Sequence, residues 1–189
     1  MLRHLPNLIT SVRILLTPYL GFLIARGQYR PAFFLLMAAG LSDGLDGWLS
    51  RRFHWQSDLG ARLDPIADKL LLATLFLGLG FAGALPWWIV ILSFSRDLLI
   101  LAFAAYAWRA HGLRSFPPSI WGKLSTLLQL LLCGGALLRN LWPDFFLAAL
   151  VPTVLYLSAA ATSWSGIDYG LTGARMLRRP DASAGTSAD

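Results

Sequence analysis

Six mostly apolar stretches, at about 7–26, 31–50, 63–83, 86–108, 121–139 and 146–172, take up most of this 189-residue chain. Each approaches the roughly 20 residues that a helix needs to cross the hydrocarbon core of a bilayer. The fold class this predicts is an all-α polytopic membrane protein with six transmembrane helices. Pro31, Pro86 and Pro143, with Gly27 and Gly112, mark the breaks between segments, because proline cannot continue a helix and glycine relaxes one. Composition agrees: 56% of residues are hydrophobic, mean hydropathy is +0.58 and 14% are charged, where a soluble domain carries about 25% charged residues.

One membrane domain over residues 1–176 is expected, followed by a small, polar, disordered cytoplasmic tail at 177–189 that is too poor in apolar side chains to pack. The first apolar stretch lacks a small-residue cleavage site and carries Arg13, Pro18 and Arg26, so it reads as a retained helix instead of a signal peptide. Cys133, the single cysteine, offers neither a disulfide framework nor a cysteine metal cluster. The net charge of +6 forms no continuous basic stripe, which argues against nucleic acid and for an anionic membrane surface. A cytoplasmic N-terminus puts Arg3, Arg51, Arg52, Arg62, Arg109, Arg114, Lys123, Arg175, Arg178 and Arg179 inside, against Arg26, Arg30 and Arg139 outside. Both termini are therefore expected in the cytoplasm of a multi-pass protein of the cell (inner) membrane. Trp87, Trp88, Trp121, Trp142 and Trp164 fit interface belts near helix ends.

All ten acidic residues are aspartates, and five of them (43, 46, 58, 64 and 68) fall in one short window. Asp43 and Asp46 are three apart and Asp64 and Asp68 four apart, so each pair shares one face of its helix. An unpaired carboxylate in the bilayer costs on the order of 3 kcal/mol, and four together repel one another, so a cation must neutralise them. Carboxylate oxygens without histidine or cysteine suit Mg2+ or Mn2+, and a two-metal site bridged by shared carboxylates fits phosphoryl chemistry. Gly47 removes a side chain where a substrate would approach, and Arg51, one turn on, can pair with a pyrophosphate. Two solvated helix ends with Arg51, Arg52 and Arg62 as counter-charges are the plainer alternative. For Gly47 and Gly60 taken alone, close helix packing serves as well.

The spacing from Asp43 through Asp46, Gly47, Ser50, Arg51, Gly60 and Asp64 to Asp68 resembles the signature of the CDP-alcohol phosphotransferase family of integral membrane enzymes. It departs once, at Ser50, where the family usually has alanine; one added polar atom can alter affinity without abolishing binding. The likeness extends to Pro6, Asn7, Thr10 and Arg13 near the start. The resemblance implies a homodimer whose cytoplasm-facing active-site cavity holds CDP-diacylglycerol. It implies Asp43, Asp46 and Asp64 as metal ligands, Asp68 as ligand and general base, and Gly47, Arg51 and Ser57 against the nucleotide diphosphate. Asn7, Thr10 and Lys123 are further substrate-binding positions on the same grounds. An acceptor hydroxyl, deprotonated by Asp68, would attack the β-phosphate and expel CMP.

The signature reads only the donor half of the reaction. Arg96 and Asp97 lie mid-span in the fourth segment, and Lys123, Ser125, Thr126 and Gln129 are read as one face near the start of the fifth. Asp97, adjacent in sequence, is expected off Arg96's face, which leaves the guanidinium free to grip an acceptor phosphate; an ion pair that merely stabilises packing is the alternative. Ser95-Arg96-Asp97 resembles the cardiolipin synthase branch, with phosphatidylglycerol as acceptor. The runner-up is the phosphatidylglycerophosphate synthase branch, with sn-glycerol 3-phosphate. An inactive lipid-binding scaffold is opposed by the complete set of aspartates, and a transporter by their place near one membrane surface instead of a midplane relay.

Overall fold

The computed structural model describes residues 5–53, 58–111, 119–142 and 144–177, without the side chains of 5–9, 45–51, 53, 58–62, 107, 108, 110, 111 and 172–177. These form six helices: α1 (Leu5–Ala25), α2 (Tyr29–Phe53), α3 (Asp58–Phe81), α4 (Trp87–His111), α5 (Ile120–Leu141) and α6 (Phe145–Leu177). Each apolar stretch becomes one helix, with ends displaced by a few residues. The stretch 178–189, which holds nearly all of the expected tail, falls outside the described residues.

Local chemistry explains where the helices stop. Gly27 adopts φ 69°, its N–H donates to the Ile24 carbonyl at 2.9 Å, and the next N–H, from Gln28, donates to Leu23 at 2.9 Å. That double bond is the left-handed glycine cap, which satisfies two orphan carbonyls. Gly83, at φ 71°, ends α3 in the same way through Gly80 and Leu79, a stop the sequence reading does not mark. Pro31 corrects that reading: it lies in the first turn of α2, where an N–H has no helical acceptor to lose. At the start of α6 the Asp144 carboxylate accepts the Phe145 N–H at 2.7 Å, one of the first-turn donors that has no partner within the helix. Gly112 and Pro143 lie outside the described residues.

Short connections at 26–28, 82–86 and 142–144 make the helices they join antiparallel neighbours. The apolar core therefore gathers at one end of the bundle: Leu20 and Ile24 of α1, Leu36 of α2, Leu75 and Leu79 of α3, Ile89 of α4, Leu132 and Leu137 of α5, Val151 of α6. The buried polar side chains, among them Thr10, Arg13, Arg96, Ser125, Gln129 and Ser165, mark the other half.

Among the described residues three stretches are long and apolar enough to cross a membrane by length and composition: Trp87–Tyr106, Ile120–Leu141 and Phe145–Leu171. In α1 the apolar part is the shorter Thr10–Ala25, while aspartates and basic residues interrupt α2 and α3. Large apolar side chains stand exposed on all six helices, Leu15 at 76%, Phe81 at 77% and Phe145 at 89% among them. Soluble monomers rarely carry so much bare apolar surface; lipid is its natural cover.

One packing relation positions everything that follows. α1 packs against both α2 and α3, which do not pack on each other among the described residues. Gly21 permits the α1–α3 approach, since a Cβ there would sit 2.9 Å from the Thr74 methyl. Gly21→Leu should therefore cost about 1–3 kcal/mol by overpacking, read as a lower unfolding temperature in detergent. An unchanged temperature would contradict the close approach.

Candidate active site

The carboxylates of α2 and α3 meet on α1. Arg13 Nη1 pairs with Asp43 Oδ1 of α2 at 2.5 Å and donates to Asp68 Oδ1 of α3 at 3.0 Å. Three residues earlier, on the same face of α1, Thr10 Oγ1 donates to Asp64 Oδ1 at 2.7 Å. Thr10 and Arg13 are buried, whereas the Asp43 and Asp68 side chains are 44% and 52% exposed. A buried charge is thus compensated from two helices while both carboxylates keep an open side.

That open side belongs to a cavity of about 380 Å³ between α1, α2, α3 and α5. Arg13, Asp43 and Asp68 form its charged end, and the rest is lined mainly by apolar residues such as Leu36, Met37, Leu71, Leu131 and Leu138. Such a shape accepts a molecule with a charged head and an apolar chain.

The donor set suits a hard divalent cation, being all carboxylate oxygen. Asp43 Oδ1 and Asp68 Oδ1 already converge from different helices on one positive nitrogen. Among the described residues no three His, Cys, Asp or Glu side chains stand close enough to hold an ion by themselves. The fourth aspartate, Asp46, has its side chain outside the described residues, as do Asn7 and Arg51; nothing beyond the backbone is described at Gly47, and Ser57 lies outside the described residues altogether.

A second polar group joins α4, α5 and α6. Arg96, buried, donates from Nε and Nη2 to Ser165 Oγ at 3.2 and 2.7 Å, and its guanidinium lies 5.9 Å from the Tyr169 ring centre. Gly122 makes room for it, because a Cβ there would sit 3.1 Å from Nη2. Gln129 Nε2 donates to Ser93 and Thr162, and Ser125 and Thr162 share a bond at 2.9 Å. At the start of α5, Ser119 donates its hydroxyl to Asp168 at 2.5 Å and its N–H to the Tyr169 hydroxyl.

Two expectations require correction. Asp97 does reach Arg96, accepting from Nη1 at 2.8 Å, and it also pairs with Lys69 of α3. A guanidinium on its long stem bends back to a neighbour whose Cβ points elsewhere. Lys123, Ser125, Thr126 and Gln129 do not share one face: Ser125 and Gln129 are buried, Thr126 lines the cavity beside the aspartates, and Lys123 is exposed. At 3.6 residues per turn, positions 123 and 125 point in nearly opposite directions. Overlooked were Ser165 and the organising role of Arg13. For Arg13 a signal existed, since an arginine inside an apolar span defaults to function.

Apolar helices that hold aspartates over a cavity with one charged end define a membrane-embedded carboxylate site. The family model for CDP-alcohol phosphatidyltransferase matches residues 3–164, and the chain belongs to that family. It is 30% identical over 181 residues to a probable cardiolipin synthase (CMP-forming) of Drosophila melanogaster, covering 87% of this chain and 56% of the relative. A chloroplastic CDP-diacylglycerol–glycerol-3-phosphate 3-phosphatidyltransferase of Oryza sativa subsp. japonica is 30% identical over 185 residues, covering 89% of this chain and 56% of the relative. A probable phosphatidylglycerophosphate synthase of Mycobacterium tuberculosis is 31% identical over 182 residues, covering 93% of this chain and 82% of the relative. The chain thus spans little more than half the length of the first two and most of the third.

Proposed function

We propose that residues 1–176 form a phosphatidyltransferase of phospholipid synthesis that moves the phosphatidyl group of CDP-diacylglycerol to an alcohol and releases CMP. The observation that carries this reading is the amphipathic cavity that ends on Arg13, Asp43 and Asp68, taken with the family. Exposed apolar residues on every helix support six membrane spans, which this reading assigns to the cell (inner) membrane. The arginine bias supports cytoplasmic termini, including the tail at 177–189, and a cavity that opens to the cytoplasm. A homodimer rests on the resemblance alone.

Asp43, Asp46, Asp64 and Asp68 would hold divalent metal, Mg2+ or Mn2+. Bound there, it would supply positive charge to offset the negative charge of the donor's β-phosphate. Asp68, open to the cavity, takes the proton of the acceptor hydroxyl. The hydroxyl oxygen then forms its bond to the β-phosphorus as the bridging P–O bond breaks, and CMP leaves with that electron pair. Gly47, Arg51 and Ser57 would contact the diphosphate, and Asn7 would be a further substrate-binding residue, as the family resemblance implies. Thr10 acts through Asp64, whose carboxylate it holds.

For the acceptor, phosphatidylglycerol is favoured, giving cardiolipin, on the Ser95-Arg96-Asp97 likeness and the cardiolipin synthase relative. The coverage of the phosphatidylglycerophosphate synthase relative keeps sn-glycerol 3-phosphate as a second reading. Purified protein offered both alcohols with CDP-diacylglycerol separates them: efficient conversion of glycerol 3-phosphate alone would reject the cardiolipin reading. Arg96, with Lys123, would recognise the acceptor's phosphate, with the guanidinium exchanging Asp97 for that anion. Arg96→Ala should then weaken use of the acceptor by about ten- to a hundredfold while donor binding changes far less. Equal losses of both would make Arg96 a packing residue.

A further inference from the structure

Arg13 lies in the apolar part of α1, yet its side chain is only 2% exposed and must stay charged. Burial of such a group is strongly unfavourable unless it is paired. The pairing here is unusual in one respect. A single nitrogen, Nη1, meets Asp43 of α2 and Asp68 of α3, two helices that do not pack on each other among the described residues. The backbone that carries Arg13 is itself held, since the Thr17 hydroxyl donates to the Arg13 carbonyl at 2.8 Å. α1 thus supplies the positive charge that lets two carboxylates stand together.

Those carboxylates are also proposed metal ligands. A divalent ion held there would draw on the same carboxylate oxygens that Nη1 holds at 2.5 and 3.0 Å. Nη1 and an ion held by the same two carboxylates would compete for their oxygens, and their like charges oppose sharing them.

We infer that Arg13 is a placeholder cation, a positioning residue that holds Asp43 and Asp68 in register before metal arrives and gives up those contacts when metal binds. The inference rests on the reading of the aspartates as a metal site. Its consequence is a sign opposite to that of an ordinary supporting residue. Metal must displace the guanidinium in the wild type, so removing the guanidinium strengthens metal binding. The metal-free protein bears the loss, because two carboxylates then repel without compensation.

The test uses the full chain in detergent, stripped of metal, with Mn2+ binding followed by the electron paramagnetic resonance of the free ion and unfolding followed with and without saturating Mn2+. Arg13→Gln should bind Mn2+ about tenfold more tightly. Its unfolding temperature should fall in the metal-free state and recover with Mn2+. Arg13→Lys, which keeps the charge, should lie between the two and serves as the comparison if the glutamine variant does not fold. Unchanged or weaker Mn2+ binding, with equal losses in both states, would overturn the inference. Absence of Mn2+ binding by the wild type would overturn the metal site and the exchange with it. A separate arm isolates the clamp: in metal-free protein, Arg13→Gln should cost less stability when Asp43→Asn and Asp68→Asn are already present. An undiminished cost would overturn the pairing role itself.

Discussion

Asp68→Asn should lower turnover by about 10²- to 10⁴-fold, the range that a positioned general base contributes, while binding of CDP-diacylglycerol stays measurable. The amide is nearly isosteric with the carboxylate but cannot take a proton from the acceptor hydroxyl, and it is a poor ligand for a hard cation. Asp43 and Asp64 keep their partners on α1, since Asp43 pairs with Arg13 and Asp64 with Thr10 independently of Asp68. The pocket wall and its Asp43 carboxylate are thus preserved, with Asp64 still held by Thr10, which is why donor binding outlasts catalysis. Single-turnover release of CMP, set beside equilibrium binding of the donor, checks this split. Near-wild-type turnover would remove Asp68 from the chemistry.

Removing divalent metal is the second large effect. Chelation should bring CMP release down to that of a protein-free control, and Mg2+ or Mn2+ should restore it. Without metal, Arg13 is the one described cation in contact with Asp43 and Asp68, and it offsets one charge where at least two carboxylates meet. A diphosphate brought to that end would add negative charge to an uncompensated cluster. Donor affinity should therefore fall with activity, unlike the Asp68→Asn case. Activity that persists in excess chelator would exclude the carboxylate metal site.

The six helices were legible because each is built on a long, mostly apolar run, and the common side of Asp64 and Asp68, both turned to α1, follows from their spacing of four. Less visible was which helix brings the pairs together. Nothing in the period of α1 says that Thr10 and Arg13 face Asp64, Asp43 and Asp68; that depends on the packing of α1 between α2 and α3. Asp97 misled for a related reason: Cβ directions describe short side chains, whereas the long stems of Arg96 and Lys69 bring both charges to one carboxylate. Ser165 gave no signal, since a serine in an apolar helix looks the same whether it packs or binds a guanidinium. The asymmetry of the bundle, an apolar core at one end and polar pairs at the other, emerges only when alternate helix directions stack residues distant in sequence.

The central claim is phosphatidyl transfer at the aspartate cavity, and CMP release from CDP-diacylglycerol by the purified protein tests it most directly. With Mg2+ or Mn2+ present, phosphatidylglycerol should yield cardiolipin and CMP in equal amounts, and Asp68→Asn should yield neither at a comparable rate. Intact donor after incubation with metal and either acceptor would contradict the account and leave a lipid-binding protein in place of an enzyme.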